Sequence, residues 1–549
     1  MKKMSAVPTW QRLAAALCAS TLLFAATTAQ AEQRPVLTSH VPEAVASGVA
    51  PLVGHLPSTQ RLSLAISLPL RNEAELGDLL QQLYDPQSPS YHKYLSVQEF
   101  AERFGPAETD HAAVLRFAQA NGLAVIETAA NRMVIDVEGP AANIENAFHV
   151  TLGVYQHPTE SRTFYGPDRE PLPDLDVPLL HITGLDNFSV PHAKNIVSSA
   201  KSAKATGSGP SGSFLGSDLR TAYYGSGSLN GAGQSLGLFE YGGYQMSDIN
   251  TYFRNAHQTL SVPIKNVSIN GVRVTCPPAS CSDVEQALDI EQAISMAPGL
   301  SQLVVYVGNN NVSIFNQMAA DNTSKQLSCS WGWKANESTL DPIFEEMVAQ
   351  GQTIFVATGD QGAATAAAEV WPADDPYVTA VGGTILTTKS AGGAWESETG
   401  WPGSAGMPSK NNVAIPSYQQ LAGVITTSNH GSKTLRNIPD VASESNASQY
   451  VCAQGICKSQ GGGTSYAAPL WAGLMAMINQ QSLANGGTTV GFLNPALYAI
   501  GTGSTYGSDF HDITSGNNGR YSAVKGYDLV TGWGSPNGPN LIKALLGSD

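Results

Sequence analysis

GGGTSYAAPLWAGL, residues 461–474, joins a glycine-rich turn to an apolar run that reads as a buried helix. The glycines let the backbone turn tightly and approach a ligand closely. A helix opening at Thr464–Ser465 presents free N–H groups and the positive end of its dipole, both suited to developing negative charge. Pro469 is expected in the first helical turn, where its missing N–H costs little. Such a turn offers Ser465 as a nucleophile. A capped turn without chemistry has the same signature, so the decision rests on the base available to the serine.

Histidine is the usual base for a serine nucleophile. Beyond residue 200 the chain has His257, His430 and His511, none in a glycine-flanked motif. Glu285 and Asp289, in EQALDIEQAISMAPG, lie four residues apart and share one face of a helix. Like charges at that spacing oppose helix formation unless they share a proton; a solvated acidic helix start is the alternative. Asp360 follows the apolar run TIFVA (353–357) in a Gly-Asp-x-Gly turn. That is the carboxyl end of a buried parallel strand, where open α/β sheets place their sites.

Further apolar runs (SLGLFEY, QLVVYVG, YVTAVGG) alternate with helical segments, the pattern of a doubly wound, mostly parallel sheet. No GxGxxG loop opens it, which argues against a nucleotide enzyme. Upstream, LSLAISLPL, LAVIETAA and NRMVIDVEG read as strands. EAELGDLLQQLYD, VQEFAERFG, HAAVLRFAQANGL and NIENAFHV read as helices. The expected N-terminal unit is α+β, one antiparallel sheet with helices on one face. VSSAKSAKATGSGPSGS (197–213) is a Ser/Gly/Ala/Lys linker open to nicking.

Taken in order, SLGLFEYGGY (235–244), the Glu285–Asp289 motif, SCSWG (328–332), ATGDQG, WPADDPYVTAVGGT, RNIPDV (436–441), GGGTSYAAPLWAG and GYDLVTGWGSPNG resemble the sedolisins, the serine-carboxyl peptidases. The resemblance implies a subtilisin-like catalytic domain, 214–549, after a ferredoxin-like activation domain, 32–196, whose DPQSPSYHKYLSVQEF fits the family. It implies Ser465 as nucleophile, Glu285 as base, Asp289 as its orienting carboxyl and Asp360 as oxyanion residue, with Glu240 and Trp331 behind them. It also implies one Ca2+ held by Asp512, Ile513, Val524, Gly526 and Asp528, in FHDITSG and AVKGYD; a polar turn is the alternative. The chain departs from the family pattern at Gly462, at Gln361, in WPGSAGMPS and at Val524. The last stands where glycine is usual, so a carbonyl ligand there requires φ below zero.

The chemistry favours acid. Near about pH 3–4 an imidazole is protonated and cannot accept a serine proton, whereas a glutamate near about 4.3 still can. Asp360 must stay protonated to donate to the oxyanion, which burial permits. Charged residues are 13% and the formal charge is −15, with no basic stripe for nucleic acid. Scarce Lys and Arg limit self-repulsion in acid.

Residues 1–31 read as a signal peptide cut after Ala31, and no later stretch suits a bilayer. Export, extracellular or by way of the periplasm, favours disulfides Cys276–Cys281 and Cys452–Cys457, leaving Cys329 as a buried thiol. A monomer acting on protein or peptide substrates is expected, with its own pro-domain as inhibitor and folding aid. A histidine-based subtilisin-like peptidase and a silent peptide-binding pseudopeptidase are the competing readings.

Overall fold

The computed structural model describes residues 37–197, 206–277, 282–333, 337–363 and 370–547. The expected signal peptide, residues 1–31, and Cys281 lie outside them.

The strand Arg61–Ser67 shows how the N-terminal unit is built. Its alternation sends Leu62, Leu64 and Ile66 into that unit's own core, while Ala65 joins the core of the C-terminal unit. The strand is central in a four-stranded antiparallel sheet, in the order Ala124–Thr128, Val134–Pro140, Arg61–Ser67, His181–Thr183. A second antiparallel sheet joins Leu52–His55, Leu152–Gln156 and Thr163–Pro167, so the single expected sheet is two. Helices Glu108–Ala120 and Ala141–Phe148 supply Val114, Phe117, Ile144 and Phe148 to the local core. Helices Glu73–Leu83 and Val97–Arg103 instead pack on two C-terminal helices, Glu337–Ala349 and Asn311–Asp321. The expectation of helices serving only their own sheet is corrected. Leu76, Leu80, Leu83, Phe100 and Phe104 are apolar enough to join the larger core, and do.

The C-terminal sheet has eight strands. In order they are Ile264–Ser268, Gln302–Gly308, Ser235–Tyr241, Gln326–Cys329, Thr353–Ala357, Thr379–Thr388 and Trp395–Gly400, with Val441–Glu444 also paired to Thr379–Thr388. All pairings are parallel except the one to Trp395–Gly400. Gln302–Gly308 and Thr353–Ala357 are nearly continuous apolar runs, as strands covered on both faces require. Helix Thr464–Ala484 crosses this sheet and packs on helix Val284–Met296. It is buried on almost every side, which marks a central helix rather than a surface one.

Pro469 falls in the second turn of that helix, not the first, so one intrahelical bond is lost. The carbonyl it would have served, that of Ser465, accepts from Ser330 Oγ at 3.4 Å. The Cys452–Cys457 disulfide closes the hairpin between Gln449–Ala453 and Ile456–Gly462. Cys276 is also disulfide-bonded, and Cys329 is a buried free thiol whose pKa burial pushes up.

Candidate active site

Three elements meet at Ser465. The helix Thr464–Ala484 brings the serine on its first turn, helix Val284–Met296 brings Glu285 and Asp289, and the strand Thr353–Ala357 ends just before Asp360. Ser465, Glu285 and Asp289 are buried. Burial of two carboxyls on one helix face is intelligible only if protons are shared, because each buried charge otherwise carries a large desolvation cost.

Ser465 lies close enough to Glu285 to favour its ionised form. The bond is not fully formed: Glu285 Oε1 has no partner at normal geometry, and Ser465 Oγ points toward the Ser330 carbonyl at 3.4 Å. Loose contacts of this kind are common before substrate tightens a site. Glu285 Oε2 accepts from the Asn195 side-chain amide. Behind it, Asp289 Oδ1 accepts from Ser330 Oγ at 2.9 Å, and Glu240 Oε2 accepts from Trp331 Nε1 at 3.1 Å. Glu240 Oε1 and Asp289 Oδ2 have no other partner, and the two carboxyls interact with each other. One proton held between those oxygens satisfies both. Burial raises all three carboxyls, Glu240 to about 8.

Asp360 is held by its neighbour on the helix. Its Oδ1 accepts the Thr464 backbone N–H at 2.8 Å and the Thr464 hydroxyl at 3.0 Å. Two donors on Oδ1 leave the carboxyl proton to Oδ2, which is enclosed and unpartnered. Burial raises this carboxyl to about 7, against the pull of Thr464. Gly463 stands at φ +122°, and a Cβ there would come within 2.6 Å of Asp360 Oδ2. Only glycine fits this close approach. A protonated carboxyl here, beside the Ser465 N–H at a helix start, would suit an anion.

Each catalytic residue expected from sequence is therefore in one place, with Glu240 and Trp331 behind. Sequence reasoning missed Ser330, Thr464, Lys194 and Asn195. The first two stood inside quoted motifs and are hydroxyl residues next to buried carboxyls, which is the signal that would have found them. No histidine among the described residues bonds to Ser465 or Glu285, and His511 stacks on Trp395 instead, ring centroids 3.9 Å apart.

A serine on the first turn of a helix, beside buried acids and a tight glycine turn, is an arrangement that suits a serine-type peptidase. Residues 50–188 match the model "Pro-kumamolisin, activation domain", and residues 247–496 match "Subtilase family". The chain is 32% identical to kumamolisin of Bacillus sp. (strain MN-32), across 94% of this chain and 97% of that protein. It is 29% identical to sedolisin of Pseudomonas sp. (strain 101), across 89% and 88%. The solved Pseudomonas sedolisin complexed with two molecules of pseudo-iodotyrostatin aligns at TM-score 0.53 and 28% identity, over 63% of this chain and all of that one. The chain belongs to the sedolisin family of serine-carboxyl peptidases, hydrolases made with an activation domain.

The candidate calcium loop supplies only oxygen donors, which suits that cation. Asp528 is buried, and its carboxylate accepts Val530 and Thr531 N–H at 2.8 Å each and Val524 N–H at 3.0 Å. Burial raises it to about 7, and no basic side chain among the described residues pairs with it. Asp512 accepts from Tyr506 at 2.9 Å and from Gly526 N–H at 3.1 Å. Val524 is absent from the residues with positive φ, so its replacement of glycine costs no backbone strain. The donor set fits a calcium ion on Asp512, Asp528 and the carbonyls of Ile513, Val524 and Gly526. Among the described residues no three acidic, His or Cys side chains cluster as a metal site, so a calcium ion here would have to rest on two carboxylates and backbone carbonyls.

Proposed function

We propose that this peptidase is an exported, acid-acting endopeptidase that uses Ser465, Glu285 and Asp289 as its triad and Asp360 as its oxyanion donor. One observation carries the reading: Asp360 Oδ2 is enclosed, unpartnered and adjacent to the turn that starts the Ser465 helix. A carboxyl in that place is useful only while protonated.

Glu285 takes the Ser465 proton as the hydroxyl attacks a peptide carbonyl. Asp289, sharing a proton with Glu240, keeps the Glu285 side chain oriented. The oxyanion is met by Ser465 N–H and by Asp360 O–H. Glu285 then returns the proton to the leaving amine, and the reverse sequence with water releases the acyl group. Ionisation of Asp360 would place like charge on the oxyanion, so activity falls as pH rises through about 7. Residues 1–31 are the export signal and 32–196 the inhibitory pro-domain, followed by linker 197–213 and peptidase 214–549. The enzyme acts as a monomer on proteins and peptides, with one calcium ion. Among the described residues, no helix is long and apolar enough to cross a membrane.

Digestion of denatured protein across pH tests this. Wild type should act in acid, and Ser465→Ala and Glu285→Gln should be silent at every pH. A neutral optimum retained by Glu285→Gln points to a histidine-based enzyme; no hydrolysis by wild type points to a pseudopeptidase.

A further inference from the structure

The chain leaving the N-terminal unit passes through the site just described. His192–Ala193 pairs antiparallel with Trp331–Gly332, and the Lys194 N–H donates to the Ser330 carbonyl at 2.9 Å. Two residues later, Ile196–Val197 pairs antiparallel with Gly461 and Gly462. The two short strand pairs grip the chain on either side of Lys194 and Asn195. Between them, the Lys194 carbonyl accepts the Ser465 backbone N–H at 3.0 Å. A Cβ on Gly463 would meet the Lys194 oxygen and Asp360 Oδ2 alike, each at 2.6 Å. The Lys194 carbonyl thus occupies the place of an oxyanion, and the Asn195 amide lies on the base, Glu285.

The lysine side chain is not a bystander. Lys194 is only 5% exposed, and its Nζ donates to the carbonyls of Ala357 at 2.7 Å and Val370 at 3.2 Å. Ala357 is the last residue of its strand, which puts this carbonyl at the carboxyl end of the sheet. Backbone carbonyls accept and never donate. An ammonium group suits them, an aliphatic side chain leaves the buried Ala357 carbonyl without this donor and Val370 with the Ala373 N–H alone, and a carboxylate sets acceptor against acceptor. An ammonium also keeps its charge throughout the acid range.

We infer that the peptidase selects lysine as the residue donating the acyl group of the scissile bond, and that its first self-cut in the precursor is Lys194–Asn195. This rests on the serine-peptidase reading above. Ser465 Oγ bonds to the Lys194 carbonyl carbon while its proton passes to Glu285. The bond to Asn195 nitrogen breaks, and Glu285 protonates that amine. Water then attacks the Lys194 ester and gives its proton to Glu285. Ser465 regains a proton, and Lys194 leaves as a carboxyl terminus. The cut falls upstream of the 197–213 linker.

Two measurements test the inference. The precursor is acidified to about pH 4, where the base works, and the N-terminus of its first product is read by mass spectrometry. The matured enzyme is then given quenched peptides differing only at the acyl-side position, carrying Lys, Leu or Glu. The expected first product begins at Asn195. The Lys peptide should exceed Leu in kcat/KM by at least about tenfold and Glu by more. A Leu peptide cleaved as fast as Lys, or a first product beginning elsewhere, overturns the inference. Loss of denatured-protein digestion in Ser465→Ala separates the two levels. If digestion depends on Ser465 but ignores lysine, only this inference fails; if it does not depend on Ser465, the peptidase mechanism fails with it.

Discussion

The Asn131 side chain of the N-terminal domain donates to Glu346 Oε2 of the C-terminal domain at 2.7 Å, and both residues are fully buried. The same amide donates to Asn316 Oδ1 at 2.8 Å, and nearby Ser313 Oγ donates to Asp136 Oδ1 at 2.5 Å. Burial raises Glu346 to about 8 and Asp136 to about 6. Both therefore carry protons through mild acid, and acidification leaves these contacts intact. No ion pair among the described residues joins the two domains. Asn131→Ala removes a donor from a buried acceptor, at a cost of about 1–3 kcal/mol to docking. The variant precursor should mature several-fold faster in acid, with unchanged activity once mature, because residue 131 is then gone. A maturation time course decides it; an unchanged rate would remove this contact from the latch.

Two buried histidines are expected to make the pro-domain acid-sensitive. His40 and His181 stack with ring centroids 4.0 Å apart. Burial lowers His40 to about 4 and His181 to about 3. Glu170 Oε2 lies 3.0 Å from His40 Nδ1 and its charge opposes the shift at His181, while His40 Nε2 accepts the Ile182 N–H and so bears no proton. The unfolded chain binds protons near about 6.5 that the folded pair refuses, so stability falls as pH drops from there toward 4. The peptidase domain has the opposite bias: Glu444 is raised to about 8 by burial, so its contribution is present in acid and lost as pH rises toward 8. Calorimetry should show the pro-domain of a Ser465→Ala precursor melting earlier at about pH 4 than at neutral pH, and mature enzyme the reverse. Parallel shifts of both would contradict the assignment.

The alternation of Leu62, Leu64 and Ile66 and the unbroken TIFVA run set the strands in their right places from sequence, because side-chain burial has the strand's own period. Ser465, Glu285, Asp289 and Asp360 were legible because acidic residues in apolar surroundings are expensive and short motifs surround them. Leu52–His55 and Thr163–Pro167 were not legible: the first is exposed along its whole length and the second carries little alternation, so neither leaves a periodic trace. Lys194 was equally invisible. Its place beside Ser465 depends on contacts spanning most of the chain, and no local pattern records them.

On the proposed mechanism, Asp360 is expected to set the upper pH limit. Asp360→Ala removes an oxyanion donor and should lower kcat by about 10²–10³ with little change in KM. Asp360→Asn keeps a neutral donor that cannot ionise, so the decline near pH 7 should disappear while some turnover remains. Thr464→Val deletes the hydroxyl that favours the carboxylate, so the limb should move upward. Superimposable pH profiles for wild type and Asp360→Asn would take Asp360 out of the oxyanion role.

Calcium is expected to hold the loop that carries Asp512 and Asp528. Asp528 is a buried carboxylate raised to about 7 in the absence of a cation, so the bare loop favours its neutral form near neutrality. A divalent ion reverses that preference, because its ligands must be ionised. Affinity should therefore fall as pH drops, and the ion should stabilise the native state by about 2.7 kcal/mol at a hundredfold excess over Kd. EDTA at mild pH should lower the Tm of mature enzyme, and calcium should restore it where magnesium, which demands a tighter octahedral cage, does not. Asp528→Ala should abolish the response, at the price of lost hydrogen bonds to Val524, Val530 and Thr531. Asp512→Asn is the cleaner variant, since an amide oxygen still accepts from Tyr506 and Gly526 while the charge is gone. If its melting curve responds to EDTA as wild type does, and elemental analysis finds no calcium in either protein, the loop is held by its own hydrogen bonds.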